Sequence, residues 1–136
     1  LEWMLNNPRS SFNKEKISGI IKNTSVSALG AFLERKFIGF IYGDLPIGGI
    51  SYVHWFAVEP KFQRKGIGKT LLGKWENMVK EQGAHSVHLS ADVRNLEFYK
   101  KLGYKVYGYD ENSYFGSDDY LLKKDIQDPK EEKFLK

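Results

Sequence analysis

The chain has 136 residues, 41% of them hydrophobic, and its 21 Lys or Arg against 17 Asp or Glu give a formal net charge of +4. That length suits a single domain with its own core, and the 15% of aromatic residues excludes disorder throughout. With no cysteine, a disulfide scaffold, a thiolate metal site and a cysteine nucleophile are excluded, and a reducing, cytoplasmic setting is expected; no apolar run reaches the ~20 residues of a membrane helix.

Residues 1–11 carry Trp3, Met4 and Leu5 before an Asn-Asn-Pro turn signal and read as the remnant of a helix and a loop. Ile17, Ile20 and Ile21 are spaced for a short amphipathic helix over residues 14–23. Two apolar segments, 26–33 and 37–42, flank Glu34-Arg35-Lys36 and predict a β-hairpin, with Gly43-Asp44-Leu45-Pro46 ending its second strand. A third strand over residues 50–58 follows Gly48-Gly49. Simple alternation puts Tyr52, His54, Phe56 and Val58 on one face and Val53, Trp55 and Ala57 on the other. With apolar residues on both faces, it is expected to be a covered, central strand.

Residues 59–65 form a polar loop. The strongest helix is predicted over 70–82, with Leu71, Leu72, Trp75, Met78 and Val79 as its apolar stripe and Gly83 as its C-terminal stop. A strand over 85–91, a short helix over 96–102 closed by Gly103, and strands over 104–109 and 120–123 complete the order. The fold class is α/β of the α+β kind, a mixed sheet with helices on its faces. One domain is expected over residues 1–127 and a charged, frayed tail over 128–136.

The sharpest local signal is Gln63-Arg64-Lys65-Gly66-Ile67-Gly68-Lys69-Thr70, set between the central strand and the best helix. The first N–H groups of a helix lack internal partners, and the helix dipole adds positive potential there. Glycines let an anion approach the backbone closely, and Arg64, Lys65 and Lys69 add charge. The physical reading is a phosphate or pyrophosphate cradle; the plain alternative is a glycine-rich turn with solubilising charges. A P-loop fits poorly. Gly68-Lys69-Thr70 mimics its end, but the first glycine is replaced by Gln63, and only Asp92 stands near the place of a magnesium-binding aspartate.

Gln63-x-x-Gly66-x-Gly68 resembles the coenzyme A loop of the GNAT superfamily of N-acetyltransferases, whose pattern is Gln/Arg-x-x-Gly-x-Gly/Ala. Val58-Glu59-Pro60 is similar to the Val-x-Pro segment that precedes that loop, and Phe98-Tyr99-Lys100-Lys101-Leu102-Gly103-Tyr104 to the family's Phe-Tyr-x-x-x-Gly-Phe/Tyr segment. The resemblance implies a splayed mixed sheet whose third and fourth predicted strands part at their C-terminal ends, with acetyl-CoA in the opening. It implies that the pyrophosphate lies on the amides of Arg64 to Lys69, at the loop that runs on to Thr70. It implies that pantetheine runs along Phe56, Ala57 and Val58, and that the Val58 amide meets the acetyl carbonyl. Asn95 and Phe98 complete the implied coenzyme set. The sequence departs from the pattern twice. The family's first strand is not evident, so the chain either starts inside the fold or holds that strand in residues 1–5. The family's frequent Asn, seven residues before the Tyr, is Asp92 here, while Asn95 stands four before Tyr99.

Amine acetylation needs an acceptor for the amine's proton, a donor to the oxyanion and an acid for the leaving thiolate. Tyr99 matches the family's thiol-protonating tyrosine and is the expected general acid. His54 is the candidate base because an imidazole titrates near neutrality; water or an already neutral amine are the alternatives. Tyr52 shares its expected face, and Glu59 follows the strand and is expected to meet solvent. His85 and His88 carry no supporting carboxylate spacing, so no metal is expected. Tyr104, Tyr107, Tyr109, Tyr114, Phe115 and Tyr120, with Asp110, Glu111, Asp118 and Asp119, form either an acceptor wall for a cationic amine or ordinary strand packing with an acidic turn. The expected partner is a small-molecule or peptide amine. A membrane or nucleic acid is not expected, and the C-terminal strands could pair with a second copy in a homodimer. Two non-enzymatic readings remain: an acyl-CoA-binding regulatory domain of the same fold, and a basic RNA-associated domain.

Overall fold

The structure is a computed structural model that describes residues 25–130. The segments expected over residues 1–11 and 14–23, and the end of the tail, lie outside the described residues. Within them the order is β1 (Val26–Leu33), β2 (Lys36–Asp44), β3 (Ile50–Val58), α1 (Ile67–Glu81), β4 (Ser86–Ala91), α2 (Leu96–Lys101), β5 (Lys105–Asp110) and β6 (Asp119–Asp125). The strands form one mixed sheet in the order β1-β2-β3-β4-β6-β5, with α1 as the crossover between the parallel strands β3 and β4. No described helix is long and apolar enough to cross a membrane.

The β1–β2 hairpin closes on Glu34 and Arg35, both left-handed at φ 48° and 71°, the twist a two-residue hairpin turn demands. Contrary to the expected stop, β2 runs on through Gly43 and Asp44. Gly43 is a close-packing residue here, not a breaker. A Cβ on it would lie 2.3 Å from the Tyr52 carbonyl oxygen and 3.0 Å from Trp75 Cζ2.

Helix α1 starts three residues before the predicted point. Its first bond runs from the Thr70 N–H to the Gly66 carbonyl at 3.1 Å, because Gly66 takes the left-handed φ of 84° that turns the chain into the helix. Its stripe is the predicted one: Leu71, Leu72, Trp75 and Val79 are buried and Met78 partly so. Trp75 is fully buried and donates its indole N–H to Ser51 Oγ at 3.1 Å; Ser51 in turn donates to the Asp44 carbonyl at 2.9 Å. Gly83, at φ 97°, ends the helix as expected. Tyr104 is buried and donates to Glu76 on α1 at 2.7 Å, and Lys124 of β6 donates to the same carboxylate at 3.0 Å. Tyr104 therefore ties α1 to the far half of the sheet.

Two irregularities in β3 shape the open end of the sheet. Its parallel pairing with β4 covers only Ile50↔Ser86, Ser51↔Val87 and Tyr52↔His88, after which the strands part. Its pairing with β2 slips as well: Tyr42 faces Trp55 but Gly43 faces Val53, so His54 is the extra residue of a β-bulge. Bulges bend a strand and reset its alternation. Ile41 and Gly43 face α1, so their partners Phe56 and Val53 do too. Tyr52, His54 and Trp55 lie on the opposite face. The expected grouping of His54 with Phe56 and Val58 is thus overturned, since alternation assumes a ladder without an extra residue.

Candidate active site

Where β3 and β4 part, a cleft of about 210 Å³ opens. β3 contributes Tyr52 to Phe56, β4 and its exit contribute Leu89 to Asp92, and Asn95 and Tyr99 close one end. Tyr114, from the segment joining β5 to β6, and Asp119, the first residue of β6, reach the cleft as well. Across it, the Tyr52 and Ser90 hydroxyls bond at 2.7 Å.

The glycine loop meets the top of β3. Pro60–Phe62 makes one 3₁₀ turn, Arg64 (φ 63°) and Gly66 are left-handed, and α1 begins. The N–H groups of Gly66 to Lys69 precede the first intrahelical bond and have no helical acceptor. The two glycines serve different ends. A Cβ on Gly66 would touch nothing, so its left-handed φ sets the need; a Cβ on Gly68 would lie 3.3 Å from Phe98 Cζ and 3.4 Å from Phe56 Cζ. Gly68 thus lets the helix start settle on these two rings. Gln63 donates its side-chain amide to the Val58 carbonyl at 2.9 Å, strapping the loop to the end of β3. Thr70 turns its hydroxyl back onto the Gly66 carbonyl at 2.9 Å. Lys65 lies 5.6 Å from the centre of the Phe62 ring.

The Glu59 N–H donates back to Ile38 on β2 at 2.7 Å. Backbone groups alternate along a strand, so the N–H and C=O of Val58 point the other way, into the gap. Glu59 itself is buried beside Lys36, 3.6 Å from its ammonium, and not solvent-facing as expected.

Tyr99 stands in the cleft with its ring against Phe98, Tyr104 and Phe56. Burial, and then the charge of Asp92, push its phenol above the ordinary tyrosine value, so it keeps its proton across the neutral range. Asp92 is engaged by Arg94, which donates from its backbone at 3.0 Å and from its guanidinium at 2.6 Å. These bonds hold the carboxyl below its usual value. Asn95 donates to Asp92 at 3.3 Å.

On the opposite face His54 Nε2 lies 2.8 Å from Asp44 Oδ1, with the Tyr42 and Tyr52 rings beside it. Burial raises the Tyr42 and Tyr114 phenols, the more so for nearby Asp44. Asp119 is buried and accepts from the Ser117 hydroxyl at 3.1 Å. The aromatic stretch of the C-terminal segment does not form one wall. Tyr107 packs on His88 and Lys123, and Tyr109 on Tyr120, along the outer strands. Burial and Lys123 lower the His88 imidazole. Among the described residues no group of three or more His, Asp or Glu is arranged to hold a metal. Sequence reading missed Asp44 and Ser90, which reach the site only through strand register.

The model of the acetyltransferase (GNAT) family matches residues 2–104. A GCN5-related N-acetyltransferase 4, chloroplastic, of Arabidopsis thaliana is 35% identical over 100 residues, which are 70% of this chain and 31% of that one. The chain therefore spans about a third of that relative's length. A spermidine N(1)-acetyltransferase of Thermoplasma acidophilum is 32% identical over 123 residues, 85% of this chain and 73% of the relative. Among solved structures, an aminoglycoside 6'-N-acetyltransferase complexed with coenzyme A superposes with a TM-score of 0.79 at 22% identity, over 96% of this chain and 91% of that one.

Proposed function

This chain belongs to the acetyltransferase (GNAT) family, and on that premise we propose that it transfers an acetyl group from acetyl-CoA to a primary amine of net positive charge. The observation that carries the reading is the parting of β3 and β4, with unbonded helix-start amides at one end of the gap and the Tyr99 phenol within it. The amides of Gly66 to Lys69, with Arg64, Lys65 and Lys69, would hold the pyrophosphate. Val58, its carbonyl engaged by Gln63, offers its N–H toward the gap as an oxyanion donor. Phe56, Ala57, Asn95 and Phe98 complete the coenzyme contacts. Bound acetyl-CoA supplies an activated thioester. Tyr99 donates a proton to the leaving sulfur, and holding both substrates in one cleft supplies much of the remaining rate.

Support for a cationic acceptor comes from the opposite side of the cleft, where Tyr114 and the buried Asp119 line the opening. The relative named for spermidine points the same way. Purified protein at about 100 times Kd of acetyl-CoA or CoA is expected to gain roughly 2.7 kcal/mol of stability, read as a rise in melting temperature, with none from Mg-ATP. Stabilisation by ATP alone would overturn the coenzyme assignment. In an acceptor screen, polyamines, lysine side chains and peptide N-termini are expected to be acetylated in preference to neutral or anionic amines. Acetylation confined to the latter would overturn the acceptor class.

A further inference from the structure

We infer that Asp44 is a positioning residue for His54, and that the pair takes the first proton from the incoming ammonium; this rests on the acyl-transfer reading of the cleft. The β3 bulge puts His54 on the face opposite Phe56 and Val58, so it meets an amine arriving from the side away from the coenzyme loop. His54 lines the cleft, and Asp44, outside the lining, approaches its Nε2 at 2.8 Å. An ionised carboxylate only accepts, so Nε2 carries the hydrogen and Nδ1 is the basic nitrogen. Asp44 is itself anchored, because its carbonyl accepts from Ser51, which Trp75 holds in the core. The titratable groups in contact with the imidazole are Asp44 and Tyr42 of β2 and Tyr52 of β3, and Tyr114 and Asp119 line the same cleft.

Protons balance at each step. Nδ1 takes one proton from R–NH3⁺, and the resulting imidazolium–Asp44 pair later releases it to solvent. The neutral amine forms its C–N bond to the acetyl carbon. As the C–S bond breaks, sulfur takes the Tyr99 proton, and the phenolate recovers one from the nitrogen that has become the amide.

In the free enzyme, ¹⁵N spectra above neutral pH are expected to show His54 with a protonated Nε2 and a bare Nδ1, and Asp44→Asn is expected to lose that preference. His54→Ala is expected to lower kcat about a hundredfold or more, remove the acid limb of the kcat/KM profile, keep the melting shift with acetyl-CoA, and recover part of its rate with added imidazole. A bare Nε2 in the native protein, or an unchanged kcat in His54→Ala, would overturn the inference. Should Asp44→Asn fail to fold, those two measurements still decide it. Failure of the acyl-transfer reading shows separately, as no acetyl-CoA stabilisation and no turnover in the native chain.

Discussion

Tyr99→Phe is expected to lower kcat by about a hundredfold or more, the scale of losing a general acid, while the melting shift with acetyl-CoA stays within error of the native protein. The ring survives the change, so its edge contacts with Phe98, Phe56 and Tyr104 survive too. Only the hydroxyl is lost. Burial and Asp92 keep that hydroxyl protonated, so no pH dependence from Tyr99 itself is expected below pH ~9. Because the thiolate then departs unprotonated, the loss is expected to shrink when a thioester with a more acidic thiol replaces acetyl-CoA. Steady-state kinetics with both thioesters checks this; an unchanged kcat would remove Tyr99 from the chemistry.

Trp75→Ala is expected to cost about 3–5 kcal/mol of stability, the range for emptying a large buried aromatic site. Trp75 is wholly buried where α1 lies on the sheet, and a Cβ on Gly43 would meet the Tyr52–Val53 backbone first and the indole at 3.0 Å. Its loss also frees Ser51, whose hydroxyl holds the Asp44 carbonyl. Trp75→Phe keeps most of the volume and is expected to cost about 1–2 kcal/mol, chiefly for the lost N–H bond. Denaturant unfolding of both variants checks the ordering; a loss under about 1 kcal/mol for the alanine variant would contradict a core centred on this residue.

Much of the architecture is legible because its signals are local. The stripe from Leu71 to Val79 and the stop at Gly83 depend on helical period and on φ, which nearby residues set; the start of α1 at Ile67 is not legible, because the left-handed turn at Gly66 leaves no periodic signal. Tyr99 and Phe98 stand out only through the resemblance to the family's segment before Gly103, whereas the Gln63–Thr70 loop is legible as a glycine-rich entry to α1. In the sequence its two glycines look like one device, but φ governs Gly66 and the rings of Phe56 and Phe98 govern Gly68. The end of the second strand is not legible, because a glycine that admits a neighbouring backbone reads the same as one that breaks a strand.

The acceptor side shows the other limit. Asp44 lies ten residues from His54, and no spacing rule links them; two strands and a shifted register bring them to 2.8 Å. Ser90 meets Tyr52 across the parting of parallel strands that α1 separates in the chain. By itself the sequence determined a mixed sheet, its main helix and a glycine loop at that helix's start, because periodicity and turn conformation are carried by neighbours in the chain. Only the tertiary structure decided which face His54 presents and what stands behind it. One extra residue in a ladder inverts every side chain beyond it, and no local pattern records which residue that is.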